Sequence, residues 1–190
     1  MARKRTINRN ELMQAIESVA RRTGLEGLTI DAVAREAGIS KSSVLYDCGS
    51  KSALLAEFTR HQIGLHDEAC QAARARHDDG GPNPSFRALI EEFRTAPTDD
   101  EMAVALLICA GVSADASCRE VMAGKIASDT ARVLAEAGDK RRILRALLAL
   151  HGLAFLEYFG FQQFDETVRN ELLDDLMTIA SDRPDGCAPA

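Results

Sequence analysis

Residues 29–51 read TIDAVAREAGISKSSVLYDCGSK, and this stretch predicts two short helices around a glycine turn. Thr29 is a favourable N-cap, and Asp31 places a negative charge in the first turn, where the helix dipole stabilises it. Apolar residues then recur at helical spacing: Ile30, Val33, Ala34 and Ala37. Gly38 supplies the left-handed conformation that ends such a helix.

Ser40 can cap a second helix, which we expect to run from Lys41 to about Tyr46. Two helices joined by three or four residues with a glycine form a helix-turn-helix, whose second helix fits the major groove of DNA. The residues left facing outward are small, hydroxylated, basic, apolar or aromatic, and none is acidic: Lys41, Ser42, Ser43, Leu45 and Tyr46. Such a face can approach a base edge without charge repulsion.

Residues 8–55 resemble the DNA-binding domain of the TetR (tetracycline-repressor) family of bacterial regulators. The resemblance rests on the leading helix, the segment LTIDAVAREAGIS, and the pair SK followed by two leucines. It implies a homodimer formed by the last two long helices and a C-terminal domain that binds a small molecule. It also implies a phosphate contact at Lys51, and Thr29 is a second candidate for phosphate.

The chain departs from this family pattern at the end of the second helix. Family members carry aromatic residues there, whereas this chain has Asp47 and Cys48. An acid is unfavourable beside a phosphate, so Tyr46 would take over part of that contact. Alternatively, Asp47 is a turn residue that faces solvent.

Charge is unevenly distributed along the chain. The net charge is −6, but the first 51 residues hold nine basic and six acidic side chains, which leaves +3 there and −9 in the remainder. A basic end suits phosphate neutralisation, although chance unevenness is an alternative. The N-terminal segment has no apolar export signal. We expect its basic residues to lie near the DNA backbone or minor groove, unless they form a disordered tail: Arg3, Lys4 and Arg5.

Composition favours an all-α fold. Of the 190 residues, 46% are hydrophobic but only 5% aromatic, with no tryptophan, and alternating β-branched runs are few. We expect an N-terminal three-helix helix-turn-helix domain over residues 1–50 and a helical ligand-binding and dimerisation domain over residues 51–190. Periodicity and caps predict helices from Asn8, from Ser50 to about 75, from Ser85, from Asp99 or Asp100, and over 118–137, 140–161 and 166–180. The segment MAVALLICAG, apolar on nearly all sides, should be buried.

The last two predicted helices carry more apolar surface than a monomer's surface helices need. Paired across two subunits, they would form the four-helix bundle of an obligate dimer. Alternatively, both are the buried centre of one domain. A symmetric dimer would read a palindromic operator, with two recognition helices about one DNA turn apart or farther.

Methionines and phenylalanines in the C-terminal half suit a pocket for a lipophilic effector. The candidate lining comprises Met102, Leu106, Cys109, Met122, Ile126, His151, Phe155 and Phe159. Such residues at helical spacing more often belong to a plain core. Glu157 or His151 would serve as a polar anchor, or would be satisfied by neighbours.

No set of residues has the spacing of a catalytic or metal site. The acids occur as adjacent pairs, which diverge around a helix, and the four histidines do not cluster. We therefore expect no catalysis, no metal and no cofactor. Five cysteines without a C-x-x-C pair indicate reduced thiols in the cytoplasm, with a redox sensor as the alternative. No apolar run is long enough to cross a membrane.

The sequence thus predicts a cytoplasmic, homodimeric transcriptional regulator, a repressor released from a palindromic operator of double-stranded DNA by a small-molecule effector. One alternative is a DNA-binding regulator controlled by a protein partner or by cysteine oxidation. A helical enzyme with an inherited DNA-binding end ranks below both.

Overall fold

A computed structural model of the chain describes residues 8–77 and 79–182. In these ranges every regular element is a helix, as the sequence predicts. The helices are α1 (Arg9–Gly27), α2 (Ile30–Glu36), α3 (Lys41–Cys48), α4 (Lys51–Arg76), α5 (Pro84–Glu92), α6 (Asp99–Ala114), α7 (Ala116–Glu136), α8 (Lys140–Tyr158) and α9 (Glu166–Ser181). The predictions for Arg3, Lys4 and Arg5 fall outside the described residues.

Most helices begin at the capping residues that the sequence predicts. The Thr29 hydroxyl accepts a hydrogen bond from the backbone N–H of Ala32 at 3.1 Å, and Ser50 does the same for Ala53 at 3.1 Å. Asp139 caps α8 in the same way. Each cap satisfies an N–H that the first helical turn leaves unpaired.

The predicted cap of α5 is wrong. Asn83, not Ser85, is the N-cap and has a left-handed φ of 49°. Pro84 then occupies the first helical position, where its missing N–H costs nothing. Ser85 lies inside the helix, and its backbone N–H donates to the Glu136 carboxylate at 2.8 Å.

The described chain forms two compact units: residues 8–63 with 99–123, and residues 64–98 (without 78) with 124–182. In the first unit, α1, α2 and α3 share a core with the beginning of α4 and with α6. Apolar residues of α1 and α4 at helical spacing are buried there: Leu12, Ile16, Val19, Leu54, Leu55 and Phe58. The predicted boundary after residue 50 separates a DNA-binding part from a regulatory part by their functions, and it stays a prediction.

Helix α6 is not buried on all sides, contrary to the prediction for MAVALLICAG. Leu107 is buried, but Leu106 is 51% exposed, and Cys109 is exposed. In the first unit α6 packs against α1, which covers one stripe of the helix. Because apolar residues surround the whole axis of α6, some of them, such as Leu106 and Cys109, remain exposed.

The second unit centres on α5, α8 and α9, with apolar residues from all three in one core. A buried ion pair crosses this core: Arg169 Nε lies 3.0 Å from both carboxylate oxygens of Glu157. The same guanidinium donates to the carbonyl oxygens that follow α5, those of Phe93, Arg94 and Thr95. Arg169 therefore closes the C-terminal end of α5.

The beginning of α5 is tied to the end of α9. The side-chain amide of Asn83 donates to the carbonyl oxygen of Ala180 at 2.9 Å. Neither this bond nor the Arg169 contacts follow from any local sequence pattern.

Within the described ranges, no single helix has both the length and the apolar composition needed to cross a bilayer.

Candidate nucleic-acid interface

The helix-turn-helix is fixed from within by its buried residues. Val33 and Ala34 of α2 and Val44 of α3 are buried in the core of the first unit. Gly38, with φ of 66°, ends α2 as predicted, and the Ser40 hydroxyl accepts from the N–H of Ser43 at 3.1 Å. One face of α3 is therefore held inward, which fixes the residues that face out.

The outward face of α3 matches the prediction closely. Lys41, Ser42, Leu45 and Tyr46 are exposed, and Ser43 is half-buried. Tyr46 is 85% exposed, which is unusual for so large an aromatic side chain. The five residues therefore lie on one short helix beside one another, as base reading requires.

Asp47 is exposed in the last turn of α3, and Cys48 is half-buried. This placement supports the interpretation of Asp47 as a turn residue that faces solvent. Tyr46 is the exposed aromatic side chain near the end of α3.

Three serine hydroxyls cluster at the start of α3. Ser40 Oγ lies 2.9 Å from Ser42 Oγ and 2.8 Å from Ser43 Oγ. A hydroxyl has one donor and two acceptor sites, so Ser40 is fully occupied by these two contacts and by the N–H of Ser43. Ser42 and Ser43 each keep capacity for an external bond. The cluster can adapt to either a donor or an acceptor on a base edge.

Most basic residues of the described N-terminal part face acidic partners. Arg22 pairs with Glu36 at 2.8 Å, and Lys41 Nζ lies 2.8 Å from Asp31 Oδ2. Arg9 pairs with Glu57, and Arg21 with Glu17 and Asp100. Residues 8–51 hold six basic and six acidic side chains, so the positive excess of the N-terminal part lies in Arg3, Lys4 and Arg5. DNA phosphates must compete with the paired carboxylates for the other basic residues.

The predicted phosphate contacts lie at helix beginnings. Thr29 is exposed, and its hydroxyl hydrogen remains available while its oxygen caps α2. Lys51 is the first residue of α4. The beginning of a helix attracts anions through its N–H groups and its dipole. The charge of Lys51 and the beginning of α4 would therefore both attract a phosphate.

The eight candidate ligand-lining residues are distributed over both compact units. Met102, Leu106, Cys109 and Met122 belong to the first, and Ile126, His151, Phe155 and Phe159 to the second. Leu106, Cys109, Ile126 and Phe155 are exposed, and the other four are half-buried. Their assignment to one ligand site stays a prediction.

Three phenylalanine rings gather at the end of α8 in the second unit. The ring centroid of Phe155 lies 5.0 Å from that of Phe159 and 5.6 Å from that of Phe161. Glu157, which the sequence suggests as a polar anchor, is instead buried and bound by Arg169. Its charge is satisfied by a neighbour, which was the other interpretation.

A small cavity in the second unit lies among α4, α5 and α7. Its volume of about 20 Å³ has room for one water molecule. The lining residues are Cys70, Gln71, Arg74, Ser85, Ala88, Leu89, Asp129, Arg132 and Val133. None belongs to the predicted lining, and no spacing in the sequence distinguishes this mixed polar set from solvent-facing helix positions.

His66 stands in a charged cluster of the second unit. Its Nε2 lies 3.4 Å from Cys70 Sγ, and its Nδ1 lies 3.9 Å from Glu92 Oε1. Burial, with a smaller contribution from Lys125, lowers the pKa of His66. In the part of the chain that the structure describes, no three His, Cys, Asp or Glu side chains group as metal ligands would.

The lowered pKa of His66 predicts that acid destabilises the protein. A histidine in the unfolded chain titrates at about 6.5, so the unfolded state takes up a proton more readily than the folded state. Stability is therefore present above this pH and is lost as the pH falls below it. We expect the melting temperature to drop between about pH 7.5 and pH 5.5, and His66→Gln to reduce that drop. Equal drops in both proteins would contradict this.

Family models match both parts of the chain. One described as "Bacterial regulatory proteins, tetR family" matches residues 12–58, which include α2 and α3. One described as "Tetracyclin repressor-like, C-terminal domain" matches residues 83–181. Neither describes an enzyme. Among curated proteins, none matches the chain significantly.

Solved structures share the fold at low sequence identity. A TetR transcription regulator from Haloarcula marismortui ATCC 43049 is 18% identical, with a TM-score of 0.71 over 90% of this chain and 95% of that one. A transcriptional regulator from Rhodococcus sp. Rha1 is 19% identical, with a TM-score of 0.69 over 92% and 96%. The multidrug binding protein EbrR, complexed with malachite green, is 20% identical, with a TM-score of 0.69 over 90% and 98%.

Proposed function

The chain belongs to the TetR family of bacterial regulatory proteins, and from this premise we propose that it is a homodimeric repressor, released from a palindromic operator by a small molecule. As a family member it is a DNA-binding transcriptional regulator. The observation that carries the proposal is the outward face of α3, with Tyr46 almost fully exposed beside Lys41 and the serine cluster.

In the proposed complex, α3 lies in the major groove. Lys41, Ser42 and Ser43 approach base edges, and Leu45 and Tyr46 supply apolar contact and a phenolic hydroxyl. Thr29 and Lys51 contact phosphates on either side and set the register of the helix on the duplex. The arm residues Arg3, Lys4 and Arg5 add phosphate or minor-groove contacts, as proposed from the sequence.

The proposed dimer uses α8 and α9. Leu144, Leu148 and Phe155 are exposed on α8, and their spacing of four and seven residues places them on one face. Val168 is exposed on α9. An apolar stripe of this kind supports association with a second copy, which would cover it. The two recognition helices would then face half-sites roughly 34–36 Å apart, or farther.

The proposed effector is a lipophilic small molecule. Support comes from the C-terminal family model and from EbrR, which binds malachite green. The apolar residues of the candidate lining add to it. Such a ligand releases DNA only when it binds the non-operator conformation more tightly than the operator-bound one.

Control by cysteine oxidation receives less support. Burial is the main cause that raises the pKa of Cys48, Cys70 and Cys118, that of Cys70 to about 11. A protonated thiol is a poor nucleophile toward oxidants. Among the four cysteines that the structure describes, Cys109 alone is exposed, so an oxidant would have to act there.

Selection from a random pool of duplexes of about 30 base pairs tests DNA recognition. We expect the wild-type protein to enrich a palindrome. Tyr46→Ala should then lower the affinity for that duplex about tenfold, because a groove contact is lost. Fluorescence anisotropy measures the affinity, and the melting temperature should not change because Tyr46 is exposed.

Leu65→Ala is the control, since it also removes an exposed apolar side chain but lies in the second unit, outside α8 and α9. It should leave DNA affinity unchanged. If both variants bind the selected duplex like the wild type, α3 does not read DNA through Tyr46.

Malachite green serves as the first effector probe. We expect it to raise the melting temperature and to weaken binding to the selected duplex. If neither malachite green nor any other lipophilic compound changes both quantities, control by a small molecule is wrong.

A further inference from the structure

Lys41 is the only basic residue in α3, whose sequence is KSSVLYDC. Together with Asp47 it gives the recognition helix a formal charge of zero. Its ammonium lies 2.8 Å from Asp31 Oδ2, in the first turn of α2. The single positive charge of the reading helix is thus shared with a carboxylate of the supporting helix before DNA arrives.

We propose that Asp31 is a specificity-determining residue: it holds the Lys41 ammonium for the acceptor edge of a guanine and keeps it off phosphates. Asp31 acts through Lys41 and is in that sense a positioning residue. The inference rests on the proposed major-groove role of α3 and names the base that α3 addresses through Lys41.

The donor count of Lys41 fits this role. An ammonium has three hydrogens, and Asp31 takes one of them. Two remain, and the major-groove edge of guanine offers two neighbouring acceptors, O6 and N7. Because guanine is neutral, Lys41 can reach it while the contact with Asp31 persists.

A phosphate presents the opposite situation. It meets the Asp31 carboxylate at the same point as the ammonium, and the two anions repel each other. To bind a phosphate, Lys41 must either break its contact with Asp31 or bring the Asp31 carboxylate next to the DNA backbone. Generic DNA offers Lys41 little besides phosphate, so Asp31 weakens generic binding more than operator binding. Discrimination arises from this repulsive element.

Removal of the Asp31 charge should leave the fold intact. Both side chains of the pair are more than half exposed, and exposed ion pairs contribute little to stability. Asn in place of Asp keeps the side-chain shape and an oxygen acceptor. Asp47→Asn is the matched control, because it removes the same charge from α3 at a position six residues from Lys41.

The experiment compares two duplexes by anisotropy: the one that the wild type selects from the random pool, and an alternating A·T duplex without guanine. We expect Asp31→Asn to raise affinity for the A·T duplex about tenfold but for the selected duplex at most about twofold. In a Lys41→Gln background, Asp31→Asn should no longer change the ratio. Asp47→Asn should raise both affinities by the same factor.

Base analogues locate the contact. Replacing each guanine of the selected duplex with 7-deazaguanine removes the N7 acceptor. At one guanine per half-site, this should weaken the wild type several-fold, by about the amount expected for one base contact, and leave Lys41→Gln unaffected.

Three results would overturn the inference. The first is that Asp31→Asn, like Asp47→Asn, raises the affinities for the A·T duplex and the selected duplex by the same factor. The second is that Asp31→Asn still changes the ratio of the two affinities in the Lys41→Gln background. The third is that no 7-deazaguanine weakens the wild type more than it weakens Lys41→Gln. A pool from which the wild type selects no sequence overturns the proposed function itself, and this inference with it.

Discussion

Replacing Leu148 with glutamate is expected to convert the proposed dimer into a monomer at micromolar concentration. It should also lower the affinity for the selected duplex about a hundredfold or more. Leu148 is 61% exposed in the centre of the apolar face of α8. A carboxylate there would have to be desolvated in a dimer interface. A monomer binds one half-site at a time. It therefore loses the affinity that a dimer gains by binding two half-sites at once.

Analytical ultracentrifugation measures the association state, and anisotropy measures DNA affinity. Ala149→Glu is the control: it adds the same charge to the next exposed residue of α8, about 100° around the helix. This variant should remain dimeric. A Leu148→Glu protein that sediments as a dimer and keeps its affinity would show that this face of α8 is not the interface.

Replacing Arg169 with methionine is expected to lower the free energy of unfolding by about 3–5 kcal/mol. The substitution leaves the Glu157 carboxylate buried without its partner and removes the donors that close the end of α5. Urea titration followed by circular dichroism measures the loss. The effect is large because the side chains of the pair are almost completely buried.

Arg142→Met provides the comparison. It removes an ion pair with Asp182 in which both side chains are about half exposed, and such pairs contribute about 0–1 kcal/mol. Adding Glu157→Leu to Arg169→Met should recover part of the loss, because no unpaired charge then remains. If Arg169→Met is as stable as Arg142→Met, the buried pair does not hold the second unit together.

The helix-turn-helix could be predicted because its determinants are local. Thr29, Gly38 and Ser40 each act on backbone groups within a few residues, and apolar spacing alone decides which face of α3 turns inward. The outward face was predicted for the same reason. Ser43 is the one half-buried residue of this face, and its hydroxyl contacts that of Ser40, three residues earlier in the chain.

Longer-range features could not be predicted. Arg169 and Glu157 read as two ordinary charged residues of amphipathic helices, and the carbonyl groups that Arg169 binds lie 74–76 residues away. Apolarity alone also overstated the burial of α6, because it does not reveal which stripe finds a partner. The Lys41–Asp31 contact crosses the turn between two helices, so neither helix shows it by itself.

The hydrogen bond from Asn83 to the carbonyl of Ala180 joins residues 97 positions apart, and α5 packs on α9. A ribosome adds roughly 5–20 residues per second, so α5 emerges roughly 5–20 s before its partner exists. During this interval the apolar side of α5, with Phe86 and Ile90, has no α9 to cover it. Slow codons between these helices would prolong that exposure to chaperones and proteases, and yield in the cell should therefore respond to the speed of translation through the second half of the message.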